Sequence, residues 1–374
     1  MSDIATTAFI RTKLLQPLPP GLGRRRWHFI RGWSDLVLTV VCLYLLWLIG
    51  WPALKFLVID AVWTGSSRDA CLPDTAGRAV GACWPFISAK FSQFIYGFYP
   101  DSERWRADLT FLVGIVLLVP LLIPRAPYKI ANAVLFFVAF PVVAFFLLVG
   151  GAFGLPYVET RSWGGLLVTL VVAVTGIIAS LPLGILLALA RRSELPALRV
   201  GAVIFIEFWR GVPLVAVLFF ATFMLPLFLP PQWEIDAMLR VLVGISIFAA
   251  AYMAEVIRGG LQAVPRAQYE GAMALGLGYW RAMALIVLPQ ALRVSIPGIV
   301  NIFIGLFKDT TLVLTVAIFD LLGQLRAAFA DPNWSSPSTL FTGFAFAGAI
   351  YFLFCFGMSR YSLFLERRLQ RERA

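Results

Sequence analysis

The sequence predicts an all-α protein that crosses a membrane about eight times. Of its 374 residues, 60% are hydrophobic and 14% are charged, whereas soluble domains average roughly 45–50% apolar and 25% charged residues. The apolar residues form long segments, and several of them approach the ~20 residues that a helix needs to cross the hydrocarbon core. The net charge of +11 does not indicate nucleic acid, because the basic residues stand in short runs beside these segments.

Eight apolar segments are the predicted spans. They are residues 36–57, 109–123, 130–150, 164–190, 201–229, 240–257, 291–319 and 339–358. The second is short for a bilayer, and Gly211 and Pro213 interrupt the fifth. Most of the 31 Lys and Arg residues fall in the N-terminal region, in the tail and in the loops on the same side. The positive-inside rule therefore predicts that both termini and the loop after the sixth span are cytoplasmic.

The chain is predicted to have two parts, separated by a Gly- and Pro-rich stretch. Residues 1–160 hold three spans and an external loop, residues 64–108, and residues 161–374 hold five spans and all of the motifs. Cys71 and Cys83 lie in the external loop, where oxidation persists, and are expected to form a disulfide. The alternative is two free thiols.

A glycine-broken stretch between the sixth and seventh spans is the most distinctive part of the sequence. Gly276 and Gly278 favour the end of one short helix and a reversal of the chain. A second short helix is expected to end at Leu288, because Pro289 disfavours the helical conformation of the residue before it. Two short helices on the cytoplasmic face form a knob that can dock into a groove of a soluble partner.

This stretch resembles the EAA loop of permeases of ATP-binding-cassette (ABC) importers. That pattern is Glu-Ala-Ala, followed at fixed spacing by Gly, Ile and Leu-Pro. The residues in register are Glu270, Ala272, Gly276, Ile286, Leu288 and Pro289, with Gly271 in place of the first Ala. The resemblance implies that residues 259–290 couple the chain to an ATPase subunit. The alternative is an ordinary cytoplasmic helix-turn-helix.

The second part of the chain is similar to permeases for polar amino acids, which handle histidine, glutamate, glutamine, arginine and opines. The matching stretches are residues 164–170, 190–193, 207–214, 254–260 and 308–311. The three additional N-terminal spans resemble the larger permease subunit of a general L-amino-acid importer. The resemblance implies a type I importer core that carries amino acids by alternating access in a bacterial inner membrane.

The same resemblance implies the partners. They are a dimer of ATPase subunits, a second permease subunit of related sequence, a periplasmic amino-acid-binding protein and the surrounding lipid. The chain has no GxxxxGK[ST] phosphate-binding loop, so ATP and Mg are expected to be bound and hydrolysed by the ATPase. With one histidine, no HExxH and no CxxC, the sequence gives no sign of a metal site or cofactor, and the chain is not expected to be an enzyme.

Charged residues within the predicted spans are the candidates for substrate binding, because a charge in hydrocarbon is costly unless it is paired or faces a cavity. Arg210 lies about ten residues, or roughly 15 Å, into the fifth span, and Glu207 is one turn away. Lys308 and Asp309 have the charges to bind the carboxylate and the ammonium of an amino acid. Asn301 shares a helix face with Lys308. The alternative for each set is a structural ion pair.

Two other functions fit parts of the sequence. A stand-alone secondary transporter or channel for small polar solutes needs no ATPase, and it gives the glycine-broken loop no role. A membrane-embedded enzyme would use Glu207 or Glu255, but the sequence clusters no nucleophile or metal ligand with them. Glu255 stands three residues before Arg258 near the end of the sixth span, which favours a structural ion pair at the cytoplasmic side.

Overall fold

The computed structural model describes residues 33–123, 126–230 and 232–371. Within these ranges the chain is helical, and its β-structure is limited to isolated bridges. Seven of the described helices are long and apolar enough to cross a membrane, and a bent pair makes eight if it is counted as one span. The predicted all-α membrane fold is therefore confirmed. The basic N-terminal region before Trp33 lies outside the described residues.

The chain divides into two compact units between Ile59 and Asp60. The first is described as a single helix, α1 (Trp33–Leu54), which continues through a π-helical turn, Lys55–Ile59. This helix covers the first predicted span. It is apolar all round, as a helix surrounded by lipid requires. The predicted boundary near residue 160 stays a prediction.

The second unit contains the remaining described α-helices. In chain order they are α2 (Pro73–Ala76), α3 (Trp84–Tyr96), α4 (Arg104–Leu122), α5 (Lys129–Val134), α6 (Phe140–Val149), α7 (Gly165–Arg191), α8 (Pro196–Gly211), α9 (Leu214–Phe219), α10 (Leu225–Phe228), α11 (Ala237–Ala263), α12 (Arg266–Ala274), α13 (Tyr279–Ala282), α14 (Leu288–Asp309), α15 (Leu321–Ala328) and α16 (Pro337–Arg371). The second candidate span starts at Asp101 rather than at the predicted residue 109, so it is not short.

Residues 64–103, predicted as part of an external loop, fold into a segment that packs against α15, α16 and the residues between them. A disulfide joins Cys71 to Cys83, and their Cα atoms lie 5.7 Å apart. Both cysteines are buried. The backbone N–H of Cys83 donates a hydrogen bond to Oγ1 of Thr342 in α16, at 2.8 Å. The disulfide therefore lies in a packed interface rather than in open solvent.

An aromatic cluster and an ion pair hold this segment in place. Phe86 of α3 is fully buried, with ring centroids 5.9 Å from Phe329 and 6.2 Å from Trp334. The Nζ atom of Lys90 lies 2.6 Å from Oδ2 of Asp331. Its hydrogen bond holds the pKa of the Asp331 carboxyl below the ordinary value. The polar composition that predicted a loop therefore belongs to the surface of a folded segment.

Three π-helical turns allow helices to continue past prolines. They are Leu135–Ala139 before Pro141, Phe220–Met224 before Pro226 and Met283–Val287 before Pro289. A proline clashes with the carbonyl four residues earlier and cannot donate to it, and a wider turn with i→i+5 bonds relieves this conflict. The prediction that the helix ends before Pro289 is wrong for this reason. The span runs without a break from Tyr279 to Val316.

The predicted fifth span, residues 201–229, is bent. Helix Pro196–Gly211 and the following helical segment, Leu214–Phe228, meet at 103°. Pro213 stands at the break, where it cannot donate to the preceding turn. The break lies at Gly211 and Pro213, where the sequence predicted an interruption. The size of the bend was not predicted.

Helix α11 supplies hydrogen bonds to the bent span at two places. The Tyr252 hydroxyl donates to the carbonyl oxygen of Arg210, at 3.3 Å, at the end of α8. Nη1 of Arg240 donates to the carbonyl oxygen of Thr222, at 2.8 Å. Thr222 lies four residues before Pro226, so its carbonyl has lost its helical donor. Because such carbonyls find no partner in hydrocarbon, α11 stabilises the bent path.

Helices α7, α11 and α14 form the centre of the second unit. Gly184 on α7 faces Met253 on α11, and a Cβ atom at Gly184 would lie 2.6 Å from Cγ of Met253. A Cβ atom at Gly298 on α14 would likewise lie 2.6 Å from Cγ1 of Val256 on α11. Small residues at these positions let membrane helices approach closely. The packing fixes α11 between two neighbours.

We expect thiol labelling of the denatured, unreduced protein to modify Cys42 and Cys355 alone, which are the free cysteines. Reduction should raise the number of labelled thiols to four. The disulfide closes a loop with a sequence separation of 12, which on the chain-entropy model stabilises the fold by about 3 kcal/mol. The control is the double variant Cys42→Ser, Cys355→Ser. In this variant the number of labelled thiols should be none before reduction and two after it. Four labelled thiols before reduction would contradict the bond.

Candidate functional site

The loop after α11 contains a glycine turn that closes α12. The N–H of Leu277 donates to the carbonyl of Ala272, at 3.1 Å, and the N–H of Gly276 donates to that of Met273, at 2.9 Å. These two bonds make a Schellman motif, which needs a left-handed residue just after the helix. Gly276 has a φ of +75°, which glycine adopts without steric cost. The reversal lies where the glycine spacing predicts it.

The residues of the predicted coupling pattern differ in their exposure to solvent. Ala272 is buried, Ile286 and Leu288 are half-buried, and Glu270, Gly276 and Pro289 are exposed. The half-buried pair belongs to the continuous helix that follows the turn. Because α13 and α14 lie in one unbroken span, the loop leads directly into the helix that carries Lys308.

An exposed apolar patch on the loop was not predicted. It consists of Met273, Leu275, Tyr279 and Trp280, with exposed fractions of 64%, 78%, 54% and 72%. Contiguous exposed apolar side chains mark interaction surfaces, and Met, Tyr and Trp are enriched in protein interfaces. The sequence signal was present: apolar residues flank both glycines of the turn. We refer to these four residues as the loop patch.

Side-chain contacts fix the loop to the end of α7. Nη1 of Arg192 donates to the Tyr269 hydroxyl at 2.8 Å, and the guanidinium carbon lies 5.4 Å from the centre of the tyrosine ring. The same nitrogen is 3.4 Å from the carbonyl oxygen of Leu261, to which the Tyr269 hydroxyl also donates, at 3.2 Å. On the other side, Gln290 donates to Gln268 at 3.1 Å.

Five charged side chains meet where α7, α8 and α11 approach one another. Glu255 places Oε1 2.6 Å from Nη1 of Arg191 and Oε2 2.8 Å from Nη2 of Arg258. Its Oε2 is 3.8 Å from Nη1 of Arg210. Glu207 lies 3.0 Å from Arg191 and 3.5 Å from Arg210. Two carboxylates are thus shared by three guanidiniums, and we refer to these five residues as the ion cluster.

The sequence predicted two ion pairs of this cluster but not that they meet in one cluster. It paired Glu207 with Arg210 and Glu255 with Arg258. It missed Arg191, which contacts both carboxylates and joins the pairs. Arg191 is the last residue of α7, where a cation interacts favourably with the helix dipole. This pair of arginines was used as a topology signal and as part of a stretch that matches the permeases, and Arg191 was assigned no ion pair.

The pairs of the ion cluster differ in strength because their exposure differs. The side chain of Glu255 is 16% exposed, whereas that of Glu207 is 52% exposed. Water screens exposed pairs, which contribute roughly 0–1 kcal/mol. The contacts of Glu255 with Arg191 and Arg258 are therefore the strong ones, and those of Glu207 are the weak ones.

The predicted residues of the seventh span lie on a different surface. Lys308 and Asn301 are both exposed on α14, about two turns apart. Asp309 is half-buried. Among the described residues, Lys308 forms no ion pair with Asp309, and neither one contacts the ion cluster. Also within the described ranges, no group of three or more His, Cys, Asp or Glu side chains is placed to hold a metal ion.

Residues 180–371 match the family model described as the inner membrane component of a binding-protein-dependent transport system. The chain belongs to this family. The inner membrane amino-acid ABC transporter permease YhdY of Escherichia coli K12 is 48% identical over 92% of this chain and 91% of its own length. The permease BztC of a glutamate/glutamine/aspartate/asparagine transport system in Rhodobacter capsulatus is 39% identical, covering 100% of both chains.

A crystal structure of an amino acid ABC transporter with histidines covers 55% of the permease and 92% of its own chain, with 29% identity and a TM-score of 0.48. The predicted class, a membrane permease subunit of an ABC importer, is confirmed by the family match and the two relatives. The family match includes the loop, Lys308 and every member of the ion cluster.

We expect Glu255→Gln to destabilise the permease by about 1–3 kcal/mol, because three guanidiniums lose their shared, largely buried anion. The melting temperature of the protein purified in detergent would measure this loss. Glu194→Gln is the matched control, since Glu194 is exposed beside the same helix end and outside the ion cluster. Equal melting temperatures for the two variants would contradict a stabilising role.

Proposed function

We propose that this permease carries amino acids across a bacterial inner membrane, by alternating access, in an importer driven by ATP hydrolysis. The loop is the observation that carries the proposal. It presents the exposed loop patch on a glycine turn, and it continues directly into a membrane-spanning helix. The names of the two relatives support amino acids as the substrate class.

The loop patch is proposed to dock on one subunit of an ATPase dimer, which binds ATP and Mg. One permease chain presents one such loop, and a dimer offers two equivalent grooves. A second permease subunit of related sequence is therefore proposed for the other groove. A periplasmic amino-acid-binding protein delivers the substrate on the opposite side of the membrane.

The orientation of the chain is supported by the two ends of α7. This helix of 27 residues is about 40 Å long. At its first residue, the N–H of Gly165 donates to the carbonyl of Phe319 at 3.0 Å, on the side of the disulfide-bonded segment. At its last residue, Arg191 adjoins the loop. A disulfide belongs to an oxidising compartment and ATP to the cytoplasm, so both termini are proposed to be cytoplasmic.

Residues 1–160 are proposed to be an extension of a permease core formed by residues 161–374. In that core, Lys308 is proposed to bind the substrate carboxylate, with Asn301 beside it and Asp309 available for the ammonium. Exposure of a cation on a membrane helix requires a water-filled cavity or a neighbouring subunit. Glu207 and Arg210 remain candidates for substrate contact at the cytoplasmic end of the path.

We expect Gly276→Pro to abolish coupling, because proline cannot adopt a φ of +75° and lacks the N–H that bonds to Met273. Glu270→Arg should also reduce coupling by reversing an exposed charge. Substrate-stimulated ATP hydrolysis and transport in the assembled complex are the measurements. Gly271→Ala is the control, because a Cβ there meets nothing within 4 Å and alanine favours the helix by about 1 kcal/mol. Normal coupling in Gly276→Pro would refute the assignment.

We expect Lys308→Met to lower transport by more than it lowers the amount of protein in the membrane, since it removes the charge that faces the carboxylate. Transport should fall by at least about tenfold if a charge-assisted hydrogen bond to the substrate is lost. Lys308→Arg keeps the charge and should retain part of the activity. If expression and transport fall in parallel, the residue is structural.

A further inference from the structure

Two consecutive arginines at the end of α7 reach in different directions. Nη1 of Arg191 contacts both carboxylates of the ion cluster, at 2.6 Å from Glu255 and 3.0 Å from Glu207. Arg192 turns to the loop, where its Nη1 contacts the Tyr269 hydroxyl at 2.8 Å. The last turn of α7 is thus the meeting point of the loop and the ion cluster.

The elements joined at this point are those that have to move together in a coupled permease. The ion cluster includes Glu207 and Arg210, one turn from the 103° break of the bent span. The loop carries the exposed loop patch. Side chains of adjacent residues on a helix point in different directions, so two arginines in sequence can hold two neighbours at once. Each guanidinium is planar and carries several donors in fixed positions, which suits it to bridging.

We propose that Arg191 and Arg192 are positioning residues for coupling, linking movement of the loop to the ion cluster at the break of the bent span. Arg192 and Tyr269 form the loop arm, and Arg191 with Glu255 and Glu207 forms the cluster arm. This inference rests on the proposed function, since it needs a loop that is moved by an ATPase. It adds a route from that loop to the bent span.

The test uses the whole complex in proteoliposomes, formed by the two permease subunits, the ATPase dimer and the binding protein. The readout is the ratio of ATP hydrolysis with and without the amino-acid-loaded binding protein, which a merely structural change in protein amount does not alter. Four variants are compared with the wild type: Arg191→Met, Tyr269→Phe, the two combined, and Arg199→Met. Tyr269→Phe removes the hydroxyl that Arg192 contacts and keeps the ring.

We expect Arg191→Met and Tyr269→Phe each to lower the stimulation ratio on the order of fivefold or more, the usual lower bound for coupling between sites. The double variant should lose no more than the more severe single variant, because both act on one route. Arg199→Met removes an exposed charge from the same cytoplasmic segment and should keep the wild-type ratio.

A wild-type ratio in either single variant overturns the inference. So does a double variant whose loss is the product of the two single losses, because the two arms then act independently. An equal loss in Arg199→Met shows a general charge effect and also overturns it. If Arg191→Met does not assemble, Arg191→Lys replaces it, since lysine keeps the charge without the planar fork. A wild-type complex that amino acids do not stimulate refutes the proposed function itself, and the inference falls with it.

Discussion

The lack of hydrogen-bond partners in hydrocarbon is the constraint on which this structure depends. Every break in a spanning helix frees carbonyl groups, and lipid satisfies none of them. The bent span has two such places, and α11 provides a side-chain donor for each: Tyr252 at the end of α8 and Arg240 at Thr222. Helix α11 is itself held by close packing against α7 and α14. The helix that stabilises the bend is therefore the same helix that leads into the loop.

The ion cluster obeys the same constraint for charges. A guanidinium on a membrane helix is tolerated when it is paired, and here three of them share two carboxylates from α8 and α11. The short contact of Glu255 with Arg191 joins α11 to the end of α7. The longer or more exposed contacts of Glu207 and Arg210 attach the end of α8 to them. The cluster's position beside the last turn of α7 brings it next to the loop.

The sequence was sufficient to predict features that depend on local pattern. Hydropathy identified the membrane-spanning helices, and the spacing of Gly276 identified the turn. It was insufficient wherever a residue's role depends on partners distant in the chain. The contacts of Arg191 become evident only when α8 and α11 lie beside it. The consequence of Pro289 was misjudged because a π-helical turn accommodates the proline. The polar residues 64–108 were read as a loop because composition alone does not show that Phe86 is buried against Phe329 and Trp334.

The ion pairs of the cluster are unequal in strength. Glu255 is largely buried and holds Arg191 and Arg258 at 2.6 and 2.8 Å, whereas Glu207 is half exposed and its contact with Arg210 is 3.5 Å long. Separating the pairs of Glu207 costs little, because water solvates the released charges. Separating those of Glu255 costs more, because less water reaches that carboxylate. The contacts of the cluster at the end of α8 are therefore less costly to separate than the contact of Glu255 with Arg191, which joins α7 to α11.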